Sequence, residues 1–223
     1  MKPAPIKPAP IKDLAPWFLT LDDLPDRPDT GGRSETLDWA KFFPTAQPVE
    51  LDIGCGRGLF LVNSALAHPE TNYCGIEIDY REGRRTARRL KKRSMDNARV
   101  LGGDAIRALQ QLVPQNSVAA VHVYFPDPWW KRKHRRRRIF TDTFLDLVAN
   151  VLVNEGELHS WSDVGEYFQD IRSLVDHHDS FHSLELPELN SPQHDMDYLT
   201  SYERKGRRKG SEIHRGRWRF LAD

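Results

Sequence analysis

Cysteine is scarce. The 223-residue chain has two, Cys55 and Cys74. Both sit in apolar, strand-like runs, and neither has neighbours at metal-ligand spacing, which argues against a disulfide framework and a zinc site. They read as small core residues, and no metal is expected. Long apolar runs are also lacking: none approaches the ~18 residues of a membrane span. No signal-peptide apolar region follows Met1. The expectation is a soluble, cytoplasmic protein with no membrane partner. Low-complexity tracts are absent beyond the first 30 residues, MKPAPIKPAPIKDLAPWFLTLDDLPDRPDT, which are rich in proline and aspartate. Residues 1–30 read as a flexible arm and residues 31–223 as a single domain.

Negative charge is nearly missing from three stretches. Residues 80–93, 131–138 and 201–220 hold 23 of the 33 Lys and Arg but only three of the 32 Asp and Glu. The rest of the chain keeps 10 basic and 29 acidic residues, so a formal net charge of +1 hides a strong segregation. Three such clusters in separate elements predict a basic face for a polyanion on an acidic body. Solvated helix faces without a partner are the alternative.

What is present alternates between strand and helix patterns. VELDIG, 49–54, is an apolar strand entering a glycine turn, and GRGLFLVNSALAH follows with Leu59, Val62, Leu66 and Ala67 at helical spacing. NYCGIEID, 72–79, reads as the second strand. Residues 80–93 read as a helix with Arg81, Arg84, Arg85, Arg88 and Lys92 on its basic side and Ala87 and Leu90 opposite. RVLGGD, 99–104, and the valine-rich SVAAVHVYF, 117–125, supply strands, the latter suited to burial on both faces. GELHSWSD makes a fifth strand, followed by a helix with Val164, Phe168, Ile171 and Val175 on one face. HSLEL and TSYER fit two more short strands. This order predicts an open α/β, Rossmann-like sheet, mostly parallel and seven-stranded, with helices on both faces. Ligands of such sheets bind at the carboxyl ends of the strands, where Glu77, Asp104, Asp127 and Asp163 fall.

ELDIGCGRG places Gly54, Gly56 and Gly58 between a strand and a helix, where the backbone can turn sharply and a ligand can approach it. Glu77 ends the next strand, a position from which a carboxylate accepts hydrogen bonds from both ribose hydroxyls. A dinucleotide fingerprint would need glycine at Leu59. The shorter pattern fits S-adenosylmethionine, with Asp52 toward its amino-acid end and Asp104 toward the adenine amine. A nicotinamide or flavin cofactor and a purely structural turn are the alternatives.

FPDPWWKRKHRRRRIF, 125–140, sets Asp127 between two prolines that stiffen the turn, directly beside a basic run. From the residues alone, Asp127 is an active-site carboxylate or the cap of a helix. Lys131 is a phosphate or base contact or an ion-pair partner. Asp163 is a hydroxyl contact or a cap.

LDIGCGRG at 51–58, GIEID at 75–79, GD at 103–104, FPDPWWKRKHRRRRI at 125–139, the SD pair at 162–163 and TSYERKG at 200–206 together resemble the bacterial tRNA (guanine-N7-)-methyltransferases. That family belongs to the class I S-adenosylmethionine-dependent methyltransferases. The resemblance spans about residues 30–221. It implies transfer of a methyl group from S-adenosyl-L-methionine to N7 of guanosine 46 in the variable loop of tRNA, leaving S-adenosyl-L-homocysteine. It also implies cofactor contacts at Asp52, Gly54, Gly56, Gly58, Glu77, Asp104 and Asp127, with Asp127 catalytic as well. The implied substrate contacts are Lys131, Lys133, His134, Arg135, Arg136, Arg137, Arg138, Asp163, Thr200, Ser201, Tyr202 and Glu203. Trp130 stands where the family more often has proline or histidine. The rival readings are a methyltransferase for a protein or small molecule, and a non-catalytic RNA-binding protein. The sequence calls for no obligate protein partner and does not fix a monomer or a homodimer.

Overall fold

The computed structural model describes residues 11–21, 36–188, 198 and 200–222. Their strands form one sheet, in chain order β1 (Phe18–Thr20), β2 (Val49–Ile53), β3 (Asn72–Glu77), β4 (Ala98–Gly102), β5 (Val118–Tyr124), β6 (Leu152–Ser162), β7 (Phe181–Ser183) and β8 (His214–Phe220). The helices are α1 (Trp39–Phe42), α2 (Leu59–Ala67), α3 (Tyr80–Lys92), α4 (Ala105–Gln111), α5 (Asp142–Val151), α6 (Gly165–Asp176) and α7 (Ser201–Arg208). The spatial order is β1-β4-β3-β2-β5-β6-β8-β7. Only the pairings of β8, with β6 and with β7, are antiparallel. The fold is α/β and Rossmann-like, with flanking helices.

β2 lies between β3 and β5. The chain runs outward one way through β3 and β4 and the other way through β5 and β6, so strand order reverses between β2 and β5. The crevice above that reversal is where open α/β sheets take ligands, and it receives both the glycine turn after β2 and the acidic turn after β5. The strands sit there because most of their side chains are apolar on both faces. Every residue of β3 is buried, and Leu51, Val121 and Leu158 are fully so. Burying each such aliphatic side chain stabilises by roughly 1.5–3 kcal/mol. Thr141 opens α5 by accepting from Phe144 N (3.2 Å), and Asp79 opens α3 by accepting from Arg81 N (2.8 Å). Each cap is worth about 1 kcal/mol.

Four expectations change. The sheet has eight strands, and the extra one, β1, comes from the segment read as a flexible arm. Phe18 and Leu14 are buried, and Trp17 Nε1 donates to Met95 O at 2.7 Å, so residues 11–21 are held by apolar contact and by pairing with β4. The remaining arm residues, 1–10 and 22–30, lie outside the described residues, as do 31–35. TSYER is helix and not strand, because Thr200 caps α7 by accepting from Glu203 N at 3.0 Å. HSLEL is strand only at its start, in β7, and Leu66 is exposed although its spacing put it on the apolar side.

Candidate active site

At the tip of β2, Asp52 is 4% exposed, and its carboxyl is pushed up to about 8 by burial, with the nearby Glu77 adding to the effect. The chain then turns through Gly54 (φ 75°) and Gly56 (φ 52°). A side chain at Gly54 would project into open space, so this stretch of backbone is bare toward the crevice. Glu77, at the tip of β3, closes the loop from beneath: Oε2 accepts from Gly56 N at 2.7 Å and Oε1 from Asp79 N at 2.8 Å. Its carboxyl is raised by burial, which those bonds oppose. Each carboxylate oxygen has a second lone pair for a ligand. Cys55 and Cys74 are free thiols in the core, both pushed up by burial.

Gly58 begins α2 at φ 65°, and a Cβ there would overlap the Thr86 side chain of α3. Thr86 in turn donates its hydroxyl to Gly56 O at 2.8 Å. Gly58→Ala is expected to cost about 2–4 kcal/mol, combining left-handed strain with overpacking. Urea unfolding measures it. Adding Thr86→Ala should recover part of the loss, and a double variant no better than the single one would refute the clash.

Asp104 follows β4 and caps α4, with Oδ1 accepting from Arg107 N at 3.0 Å. At the tip of β5, Phe125 (φ 53°) and Trp129 (φ 44°) are both left-handed, an uncommon conformation for aromatic residues. They bracket Asp127, which is exposed at the crest of the turn. The basic run 132–137 is a 3₁₀ helix. Lys131, Lys133, Arg135 and Arg136 are exposed along it. His134 packs edge-on against Trp129, and the Arg137 guanidinium lies 5.0 Å from the centre of that ring. Arg138 turns inward: Nε donates to Pro128 O at 2.9 Å, a second nitrogen meets Asp170 Oδ2 at 2.7 Å, and the group covers Tyr167. It braces the acidic turn from below. Trp130 is 63% exposed.

α7 crosses this end of the sheet. Tyr202 stacks on Phe125 with ring centres 6.0 Å apart, and Asn63 Nδ2 donates to Tyr198 O at 3.4 Å. Gly206 packs close to the Ile213 side chain, 3.0 Å from where a Cβ would stand, and Asp163 lies alongside at ordinary contact distance. Glu203 is 4% exposed and pairs with Arg207 at 2.8 Å. Thr200 is spent on its cap, and of Ser201 only the backbone, opening α7, is described. The crevice therefore gathers Asp52, Glu77, the glycine loop, the acidic turn and α7 from four separate regions of sequence.

The sequence reading missed a polar row beneath the crevice. His122 is buried and bonds Glu50 Oε2 through Nε2 (2.8 Å) and the Tyr124 hydroxyl through Nδ1 (3.0 Å). It also stacks on His159, whose Nε2 meets Glu157 Oε2 at 3.0 Å. Burial pushes the His122 imidazole down, against the pull of Glu50. Charged residues at alternate positions of otherwise apolar strands were the available signal. Among the described residues no cluster of three or more His, Cys, Asp or Glu could hold a metal ion, and no helix is long and apolar enough to cross a membrane.

A sequence family described as "Putative methyltransferase" matches residues 46–216, from the base of β2 to the middle of β8. The chain belongs to that family. This methyltransferase is 36% identical over 215 residues to the tRNA (guanine-N(7)-)-methyltransferase of Rhodopirellula baltica, across 94% of its own length and 76% of the relative's. The like-named protein of Hydrogenovibrio crunogenus is 35% identical over 198 residues, covering 88% and 78%. A solved 16S rRNA (adenine(1408)-N(1))-methyltransferase from Catenulisporales acidiphilia shares the fold, with a TM-score of 0.54 at 18% identity over 83% of this chain and 92% of that one. The methyltransferase uses S-adenosylmethionine, and the bare glycine backbone flanked by two buried carboxylates suits that cofactor.

Proposed function

We propose that this methyltransferase transfers the methyl group of S-adenosylmethionine to N7 of guanosine 46 in the variable loop of tRNA. The observation that carries the reading is the exposed Asp127, held between two left-handed aromatic residues at the mouth of the crevice with a cationic helix directly beside it. Bound there, the cofactor supplies an electrophilic methyl group on a sulfonium. Asp52 receives its ammonium group, Glu77 its ribose hydroxyls and Asp104 its adenine amine, while Gly54, Gly56 and Gly58 let it lie on the backbone.

Guanine N7 has an in-plane lone pair, so no proton need be removed before attack. The chain's task is to align nucleophile, carbon and leaving group, which supplies a proximity effect. Asp127 stabilises the positive charge that appears on the purine as the bond forms. Tyr202, stacked on Phe125, forms a wall of the base site, and Asp163 and Glu203 line the same end. Lys131, Lys133, His134 and Arg135 to Arg137 grip the phosphates around the target; such contacts position more than they specify.

The direct test is incubation of labelled S-adenosylmethionine with unmodified tRNA, followed by mapping of the product. N7-methylguanosine at position 46 is the expected result. Label in another nucleotide, or only in protein or small molecules, would replace the reading.

A further inference from the structure

A second cationic feature lies where α7 meets α2 and α3. A cleft of about 250 Å³ opens between α2, α3 and α7. Leu59 and Val62 of α2 form its apolar floor, and among the described residues its rim carries Arg57, Arg89, Arg93, Arg204 and Lys205 and no carboxylate. These cations come from the glycine loop, the last turn of α3 and the middle of α7, so the fold assembles them from distant sequence.

Such a grouping is unfavourable alone. Burial lowers the Arg89 guanidinium, and Arg93, Arg57 and Arg204 lower it further by repulsion. The carboxylate acting in the other direction is Glu82, which already bonds Arg57 Nε at 3.2 Å and also pairs with Arg85. Arg89 donates to Arg57 O at 2.7 Å, which fixes its reach into the cleft. An anion would relieve this repulsion. Guanidinium forks match the oxygens of a phosphate. The cleft is smaller than the roughly 300–1,000 Å³ of small-molecule sites, so it suits one charged group of a larger ligand.

α7 links this cleft to the reaction site. Tyr202 touches Phe125, and the next residues but one, Arg204 and Lys205, face the cleft. Lys205 Nζ also lies 5.4 Å from the centre of the Tyr202 ring, so the rim of the cleft adjoins the aromatic pair at the reaction site. We propose that the cleft binds a backbone phosphate of the RNA substrate, outside the segment that holds the target base. This rests on the reading of the substrate as RNA. It assigns part of the basic helix α3 to substrate binding, and α7 becomes a shared wall, with Tyr202 toward the target base and Arg204 and Lys205 toward the phosphate.

The test compares wild type with R89Q/R93Q and the charge-keeping R89K/R93K in salt titrations of tRNA binding. Removing the grip on that one phosphate should weaken affinity roughly 10-fold near 0.1 M salt and make the log–log salt slope shallower by about 0.7–0.9. Melting temperature and S-adenosylmethionine affinity report whether the fold is kept, and R89K/R93K should recover most of the RNA affinity. A folded R89Q/R93Q with wild-type affinity and slope overturns the inference and leaves the proposed reaction intact. Wild type that binds RNA through these arginines but methylates no tRNA removes the proposed reaction and leaves the cleft. Wild type that binds no RNA removes both.

Discussion

Asp127→Ala is expected to slow single-turnover methylation of tRNA by about 100- to 1,000-fold, the usual scale for removing one preorganised electrostatic group. The loss in cofactor affinity should be far smaller. The expectation follows from position. Asp127 sits at the crest of a turn whose flanks, Phe125 and Trp129, are left-handed, and whose base is braced by Arg138 through Pro128 O. Strain of this kind costs on the order of 1–3 kcal/mol per residue and persists where the surroundings over-determine it. A turn held that firmly presents its carboxylate at a fixed point, which a charge-stabilising group requires. Asp127→Asn separates two ways of acting. If the negative charge matters, Asn and Ala variants lose similar amounts of rate. If the carboxylate chiefly accepts from the guanine N1–H and 2-amino group, Asn keeps an acceptor, and its rate falls much less. Wild-type turnover in both variants would remove Asp127 from the mechanism.

Much of the crevice was readable because strand tips in a parallel sheet obey a simple rule. Long buried runs marked β2, β3 and β5, and the residues proposed for the site, Asp52, Glu77 and Asp127, stand at or just beyond their carboxyl ends. Other parts were hidden by local ambiguity. TSYER is short and lacks periodicity, so it passed for a strand. The cue to helix was Thr200 with Glu203 three residues on, a capping-box pattern, and the Thr200 hydroxyl does accept from Glu203 N. β1 was masked by its proline-rich setting, although Trp17, Phe18 and Leu19 stand together as an apolar run.

The basic stretch 201–220 was read as one cluster, but it divides. Its first half is α7. Its second half, β8, alternates, with Gly216, Trp218 and Phe220 buried on one face and Arg215, Arg217 and Arg219 on the other. Arg217 makes a bidentate pair with Glu157, both contacts at 2.7 Å, and Arg215 covers Trp161. Charge counting locates arginines and says nothing of where they point. A strand that pairs its cations with a neighbouring strand's carboxylate takes them out of any polyanion face, whereas α7 and α3 bring theirs to a shared cleft.

Asp52→Asn should stabilise the cofactor-free protein while weakening its hold on S-adenosylmethionine. The Asp52 carboxyl is raised to about 8 in the fold by burial, with Glu77 adding to it, against about 3.9 in an unfolded chain. Below the unfolded value both states are protonated, and Asp52 costs nothing. As pH rises from about 4 to 8 the folded state holds the extra proton, so stability falls across that window and levels off above it. Asparagine keeps the shape without the charge. Its advantage in urea unfolding should be near zero at pH 4 and grow to on the order of 2–5 kcal/mol by pH 8.5. The bound ammonium group reverses the balance, since a cation beside Asp52 favours the ionised form. Wild-type cofactor affinity should therefore rise between pH 6 and 8 as the proton is displaced. The Asn variant should lose roughly 10- to 100-fold in affinity, the value of a hydrogen bond to a charged group, and lose that part of the pH dependence. Calorimetric titration at several pH values measures both. An Asn variant no more stable at pH 8.5 than at pH 4, or one that binds cofactor as tightly as wild type, would contradict this account. The buried carboxylate is then a stored cost, carried by the empty protein and released when the cofactor's positive charge arrives.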